Sequence, residues 1–306
     1  MTSLSAWNLD PLLIGGLLLA AACYARGVAV VWRRGGTGAL VSRLRVASFA
    51  LGLYVLALAL VSPLDALAHL LFSAHMVQHV LLMLVAAPLL VLGAPLLPLL
   101  WALPRGARLA VIGAWSARPA LRAGWHACTG PVVVWSVLAT TLWLWHLPAF
   151  YQVAVTDRTV HVFEHASMLT ASFLFWWVVL QPVGPRRIDG GTAVLLVFAT
   201  KVQSATLGAL ITFVPAPLYP VYEGSAAVWG MTLMQDQQLA GLVMGTVSGL
   251  VFLAVGAWLF LTWLGTIERR SRPPGAPAAT TPIRAPRLDL ARVAHVGEEA
   301  TRRKAT

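Results

Sequence analysis

Apolar residues run along this chain in blocks too long for a soluble core. The stretches cover roughly 12–32, 46–62, 74–100, 128–147, 161–181, 192–214 and 237–265. Each is close to or above the roughly 20 residues that a helix needs to cross a bilayer core. Lipid cannot satisfy backbone polar groups, so a spanning segment must be a helix or part of a closed barrel. Blocks of this length predict membrane-spanning helices. Pro88, Pro95 and Pro98 in the third block predict a kink, or an end near Pro95. The predicted fold class is all-α, a polytopic membrane protein with a bundle of seven transmembrane helices. These fill residues 1–265. Residues 266–306 form a basic tail rich in Pro, Ala and Arg without apolar period, expected to be disordered.

Composition agrees with this reading. Of 306 residues, 58% are hydrophobic and only 11% charged, against roughly 25% charged in a soluble domain. The net charge of +11 sits in clusters between the apolar blocks, where it acts as a topology signal rather than a nucleic-acid footprint. All Lys and Arg except Arg158 and Lys201 fall near the end of block one, in the segments after blocks one, three and five, or in the tail. The positive-inside rule then places the N-terminus out and the C-terminus in the cytoplasm. The basic tail is suited to anionic lipid headgroups. Cys23 and Cys128 lie far apart, which excludes a disulfide framework or a Cys-x-x-Cys site. The Ala20–Cys23 string is read as part of the first span, because basic residues follow it and none precede it.

The polar residues gather on one side. With this topology His69 lies in an outer loop, His75 and His79 open the third span, and His146 closes the fourth. His161 and His165 open the fifth. His126 lies on the inner side and His295 in the tail. His75/His79 and His161/His165 are each four residues apart, so both rings of a pair project from one helix face and can share a metal ion. Glu164 is available to ligate or to orient a ring, and Asp236 opens the last span. Met76, Met83, Met168, Met231 and Met234 cluster at the same end. Thioether favours Cu(I), so copper is the expected metal, with zinc an alternative.

At these residues the chain resembles a known family. Ser73-Ala74-His75-Met76-Val77-Gln78-His79 followed by Leu81-Leu82-Met83 is similar to the hallmark of the multi-span CtaG family, assembly factors of caa-type cytochrome c oxidase. Trp145-His146-Leu147-Pro148, Glu164-His165 leading to Phe175-Trp176-Trp177, Pro217-Leu218-Tyr219-Pro220-Val221-Tyr222 and Asp236-Gln237-Gln238-Leu239-Ala240-Gly241-Leu242 follow in order. The resemblance covers residues from about 10 to 265. It implies a non-catalytic role in maturing a haem–copper oxidase in a bacterial cytoplasmic membrane, by supplying copper to the catalytic subunit. An outer-face copper chaperone is an implied further partner. The matched motifs imply His75, His79, His146 and His165 as functional histidines, with His161 and Asp236 as companions. They also imply Tyr219, Pro220, Tyr222 and Gln237 as a structural motif. Lys201, near the middle of span six, departs from the family pattern and requires a partner or a wet cavity.

Other readings compete. His161-Val162-Phe163-Glu164-His165 is an H-x-x-E-H string, as in inverted zinc proteases, although the parallel string has Gln78 in the Glu position. A membrane cytochrome would place His79 and His165 on opposite haem faces. A retinal protein would need a Lys in the last span, which has none. A metal transporter would need ligands through the full depth, whereas these stop in the outer third.

Overall fold

The structure, a computed structural model, describes residues 7–38, 40–180 and 188–271. Arg186, Arg187, His295 and the tail beyond residue 271 lie outside the described residues. Among the described residues all regular structure is helical. Among the described residues six helices are long and apolar enough to cross a membrane, and a bent pair makes seven if it is counted as one span. The chain divides into a compact unit, Met1–Trp263, and a second, Leu264–Thr306.

The spans begin where capping chemistry allows. Helix α1 (Pro11–Gly35) starts with Asp10 accepting from the Leu12 backbone N–H at 2.7 Å and with proline at its first position. Ser42 caps α2 (Arg43–Leu60), and Ser62 caps the short α3 (Pro63–Ala68). Helix α4 (Phe72–Leu92) follows. It ends where Ala94 takes a left-handed backbone (φ 47°) before Pro95, which agrees with the early stop that the prolines predict. Residues Leu96–Ala102 form a separate helix, α5, against α1. The Cβ of any residue replacing Gly27 of α1 would fall on the backbone of Pro98 in α5.

The middle of α4 is a π-helical turn, Leu81–Ala86. Its register sends the Ala87 N–H to the Leu82 carbonyl, and the next donor in that register is Pro88, which has no N–H. The Met83 carbonyl is thereby freed. It accepts instead from Ser172 Oγ at 2.6 Å and Trp176 Nε1 at 2.9 Å. Proline in the span is thus converted into a contact with another helix.

The segment between the third and fourth apolar blocks forms two helices, α6 (Arg105–Ala117) and α7 (Pro119–Cys128), with no buried side chain in either. Pro104 and Pro119 set their starts, and their Leu, Ile and Trp side chains are left for an interfacial bed. Arg108 and Arg34 lie over Trp101, 4.1 and 5.1 Å from the ring centroid. Helix α8 (Pro131–Trp145) is bent from α7 by 56°. At 15 residues it is about 22 Å long, short of a full crossing. Helix α9 (Pro148–Thr156) is an elbow leading to α10 (Arg158–Leu180).

Helix α11 (Gly190–Phe213), capped by Asp189, pairs closely with α12 (Leu233–Arg270), which opens with a Thr232/Gln235 capping box. Gly208 and Gly241 make this approach possible: a Cβ on Gly208 would lie 2.8 Å from the Gly241 carbonyl oxygen. Lys201 is half-buried on α11, with its stem passing Gly249 of α12. Histidine-bearing ends of α4, α8 and α10 cluster together, and the Arg-bearing end of α1 lies at the other end of the bundle. Arg158 at the start of α10 pairs with Asp10 at the start of α1, which fixes these two helix starts to one side.

Candidate metal centre

The centre is built from three helices. α4 supplies His75 and His79, one turn apart. α10 supplies His161, Glu164 and His165, and His146 terminates α8. All six side chains are buried. The rings interlock: His75 lies 4.4 Å from His79, 5.3 Å from His161 and 5.4 Å from His165, centroid to centroid. His79 lies 5.1 Å from His165 and 5.9 Å from His146. Exposed His69 abuts His161 edge-on at 4.7 Å. The two four-residue pairs read from the sequence therefore face one another.

Ligand atoms of His75, His161, Glu164 and His165 all lie within 4.8 Å of one another. Ligands on one zinc-sized ion stand at most about 4 Å apart, so closure around an ion needs only sub-ångström shifts. Glu164 carboxylate oxygens lie 3.6 Å from His75 Nε2 and 3.6 Å from His79 Nε2. Both oxygens, with His161 Nε2, His165 Nε2 and His79 Nδ1, are buried and have no hydrogen-bond partner. A buried unpartnered polar group costs about 1–3 kcal/mol, and a charged one more. A cation at the centre removes that cost for the Glu164 oxygens and the His161 and His165 nitrogens together, so this donor set fits a metal ion. It does not fit haem. The space beside His79 is a cavity of about 40 Å³, whereas organic ligand pockets run to about 300 Å³ and above.

The surrounding residues hold this set in place. Asp236, from α12, accepts from the backbone N–H of Phe72 at 2.7 Å and of Ser73 at 3.0 Å, and from Ser73 Oγ. Helix α4 has no N-cap side chain of its own. Asp236 supplies one from another span, which places it as an anchor of the His75/His79 helix. Tyr222 Oη donates to the Ala68 carbonyl at 3.1 Å, meets Tyr151 Oη at 2.9 Å and stands 3.4 Å from His75 Nδ1. Tyr219 Oη donates to the His146 carbonyl at 2.7 Å. Burial pushes the Tyr151, Tyr219 and Tyr222 hydroxyls above the ordinary phenolic range, so all three remain neutral donors. Pro220 opens the 3₁₀ turn Pro220–Tyr222 that aims Tyr222 inward. Gln237 ties this loop down: its Oε1 accepts from the Leu218 N–H at 2.7 Å, and its Nε2 donates to the Ile211 carbonyl at 3.2 Å.

Some expected correspondences separate. Gln78 is not a counterpart of Glu164. Its amide nitrogen donates to the Ala59 carbonyl at 2.8 Å and to Asp65 Oδ1 at 2.9 Å, while Asp65 also accepts from Asn8. Met76 Sδ lies 3.4 Å from His146 Nε2, and Met83 and Met76 line the cavity. Met168 is buried on α10 one turn beyond Glu164. Met231 and Met234 lie in partly exposed positions near the start of α12. His126 is exposed on α7. Sequence reading did not single out Tyr151, Asp65 or the Leu142 carbonyl that holds His146 Nδ1 at 2.7 Å. Tyr151 alone carried a signal, lying just after the Trp-His-Leu-Pro motif.

Residues 22–266 match the family model Caa3_CtaG, cytochrome c oxidase caa3 assembly factor. The chain belongs to the cytochrome c oxidase caa3 assembly factor family. The match spans every residue of the centre. The Mycobacterium bovis (strain ATCC BAA-935 / AF2122/97) protein Mb0105 and the Mycobacterium tuberculosis (strain CDC 1551 / Oshkosh) protein MT0111 are each 25% identical over 272 residues. Each alignment covers 85% of this chain and 40% of the relative. The chain thus spans well under half the length of these curated relatives. No solved structure matches it.

Proposed function

We propose that this assembly-factor family member binds copper at the His75/His79/His146/His161/Glu164/His165 cluster and helps to deliver it to the catalytic subunit of a haem–copper oxidase. The role is non-catalytic and lies at the outer face of a bacterial cytoplasmic membrane. The observation that carries this reading is the convergence of buried, unpartnered imidazole and carboxylate lone pairs on one point. Imidazole and thioether donors together favour copper over calcium or magnesium, and zinc is the competing occupant. The outer-face assignment rests on the arginine distribution, which puts the opposite end of the bundle in the cytoplasm. An outer-face chaperone would be the source of the metal. Hydrolysis is disfavoured because Glu164 is fully buried, which leaves no approach for a peptide bond.

The test is metal content of protein purified under reducing and oxidising conditions, with oxidase activity in the parent strain. His75→Ala and His165→Ala should each lower copper per chain and impair oxidase assembly, while exposed His126→Ala should do neither. Glu164→Gln should weaken binding about 10–100-fold, and assembly should recover as copper in the medium is raised. Complete loss at every copper level would favour a Glu164-dependent hydrolysis instead. Equal behaviour of all the histidine variants would remove the metal site.

A further inference from the structure

The converging set His75, His161, Glu164 and His165 does not account for the lone pair of His146. His146 Nδ1 is 2.7 Å from the Leu142 carbonyl. A carbonyl only accepts, so Nδ1 carries the proton and Nε2 presents its lone pair. That lone pair is directed at Met76 Sδ, 3.4 Å away. Neither atom is a donor, so this approach is no hydrogen bond. Two soft, unprotonated ligand atoms face each other inside the membrane-spanning bundle.

The pair opens on a different space from the His/Glu centre. His146, Met76 and His79 line the cavity of about 40 Å³, and Met83 and Met244 line it with them. That volume is enough for one ion with a water or two. Its polar lining has the hydroxyl protons engaged: Ser172 donates to the Met83 carbonyl, Thr200 to the Leu196 carbonyl and Ser248 to the Met244 carbonyl. These hydroxyls keep oxygen lone pairs, and no carboxylate lines the space. His79 lines the cavity and also touches the His75/His165 rings, so it lies between the two places.

We propose that His146 Nε2 and Met76 Sδ form a second cation site, with Met83 and Met244 continuing it, that takes a soft monovalent ion such as Cu(I). It is separate from the His75/His161/Glu164/His165 centre, which takes a divalent ion. The division follows from charge and softness. The centre with Glu164 has a carboxylate to balance a second positive charge. The His146–Met76 site has only neutral donors and thioether sulfur, which select Cu(I) and do not compensate a dication in a low-dielectric surrounding. The cavity then extends the path of the metal from the cluster toward the interior of the bundle. The inference rests on the metal-binding reading above for its cargo, and it is testable apart from that reading.

The probes are Ag(I), a redox-inert stand-in for Cu(I), and Zn(II), titrated separately and together into purified full-length protein in detergent. Wild type should bind both at once, one Zn(II) and one Ag(I) per chain. Met76→Leu, a near volume-conserving change, should lower Ag(I) affinity at least about 10-fold, the loss typical of a disturbed ligand environment, and leave Zn(II) binding unchanged. His165→Ala should do the reverse. X-ray absorption of the Cu(I)-loaded protein should contain a sulfur scatterer that Met76→Leu diminishes. Mutual displacement of Ag(I) and Zn(II) at one equivalent, or equal loss of both ions in Met76→Leu, would overturn the second site. Unchanged Zn(II) binding in His165→Ala would instead overturn the outer centre, with the Ag(I) result still deciding the inner one. Unaltered thermal unfolding of Met76→Leu establishes that an Ag(I) loss is local, and the Met83→Leu variant provides a second reading where it is not.

Discussion

At the residue scale, the candidate centre depends on groups outside the His/Glu cluster. Asp236 takes three donors at the start of α4, each charge-assisted and largely removed from water. Asp236→Ala leaves the Phe72 and Ser73 N–H groups buried without partners, a loss of about 3 kcal/mol. The expected outcome is a lower thermal midpoint and about 10–100-fold weaker metal binding at unchanged stoichiometry. Asp236→Asn should fall between, since its amide keeps one acceptor oxygen. A loss of stoichiometry in calorimetric titration would make Asp236 a ligand rather than an anchor. The tyrosines give a pH signature. Burial raises the Tyr151, Tyr219 and Tyr222 pKa values above those of the unfolded chain. Their contribution is therefore complete below about pH 10, the ordinary phenolic value, and is lost as pH rises past it. Thermal midpoints should hold level up to about pH 9 and drop above about pH 10. The drop should be shallower in Tyr222→Phe, followed by intrinsic fluorescence in detergent.

At the element scale, the helices are joined by backbone groups that a regular helix would have kept for itself. The π-turn of α4 and Pro88 release the Met83 carbonyl, and Ser172 and Trp176 of α10 both bind it. Hydrogen bonds between membrane helices are worth on average about 0.6 kcal/mol. Ser172→Ala or Trp176→Phe alone should thus cost little, because the other donor still serves the carbonyl. The double variant strands that carbonyl and should cost about 1–3 kcal/mol, more than the two singles combined. Additive losses in thermal unfolding would mean that the carbonyl is satisfied in some other way. The α11/α12 contact behaves oppositely, through absence of side chain. Gly241→Leu drives atoms into Thr212 and the Gly208 carbonyl, and it should lower folded yield where Gly245→Ala, which meets open space, does not.

At the scale of the whole molecule, the bundle is polarised. Asp10, Asp65, Arg158 and the loop with Tyr219 and Tyr222 share the end that bears the histidines. Arg26, which donates to the Ala102 carbonyl at 3.0 Å, and the Arg34/Trp101/Arg108 stack mark the other. Reporter fusions after Arg43 and Arg118 should read cytoplasmic, and fusions near Asp65, Arg158 and Glu223 should read outside. A cytoplasmic signal at Arg158 would invert the assignment and put the candidate metal centre on the inner face. The exposed α6–α7 pair predicts a complementary result: charged substitutions at Leu109 or Trp115 should weaken contact with lipid without altering the metal centre, read by metal content and by protein yield from membranes.

The sequence by itself determined the spans, the clustering of histidines at one end, and the family motifs. Each of these depends on spacing along one helix or on block composition, which a linear pattern carries. Four-residue spacing put His75 with His79 and His161 with His165, because the helical period alone dictates it. Which pairs meet, and which neighbours orient them, depends on how three helices approach, and no period encodes that. Gln78 illustrates the difference. In sequence it parallels Glu164, yet α4 is rotated so that Gln78 faces Ala59 and Asp65 while Glu164 of α10 faces the rings. Asp236, a plausible ligand in sequence, became a cap because α12 brings it to an α4 start that lacks a cap of its own. Helices α6 and α7 were missed because they bury nothing in the protein, and a short amphipathic pair between Arg clusters has no block signal. The cavity beside His146 exists only through side chains from several separate helices, so only the tertiary structure could place Met76 sulfur against that imidazole.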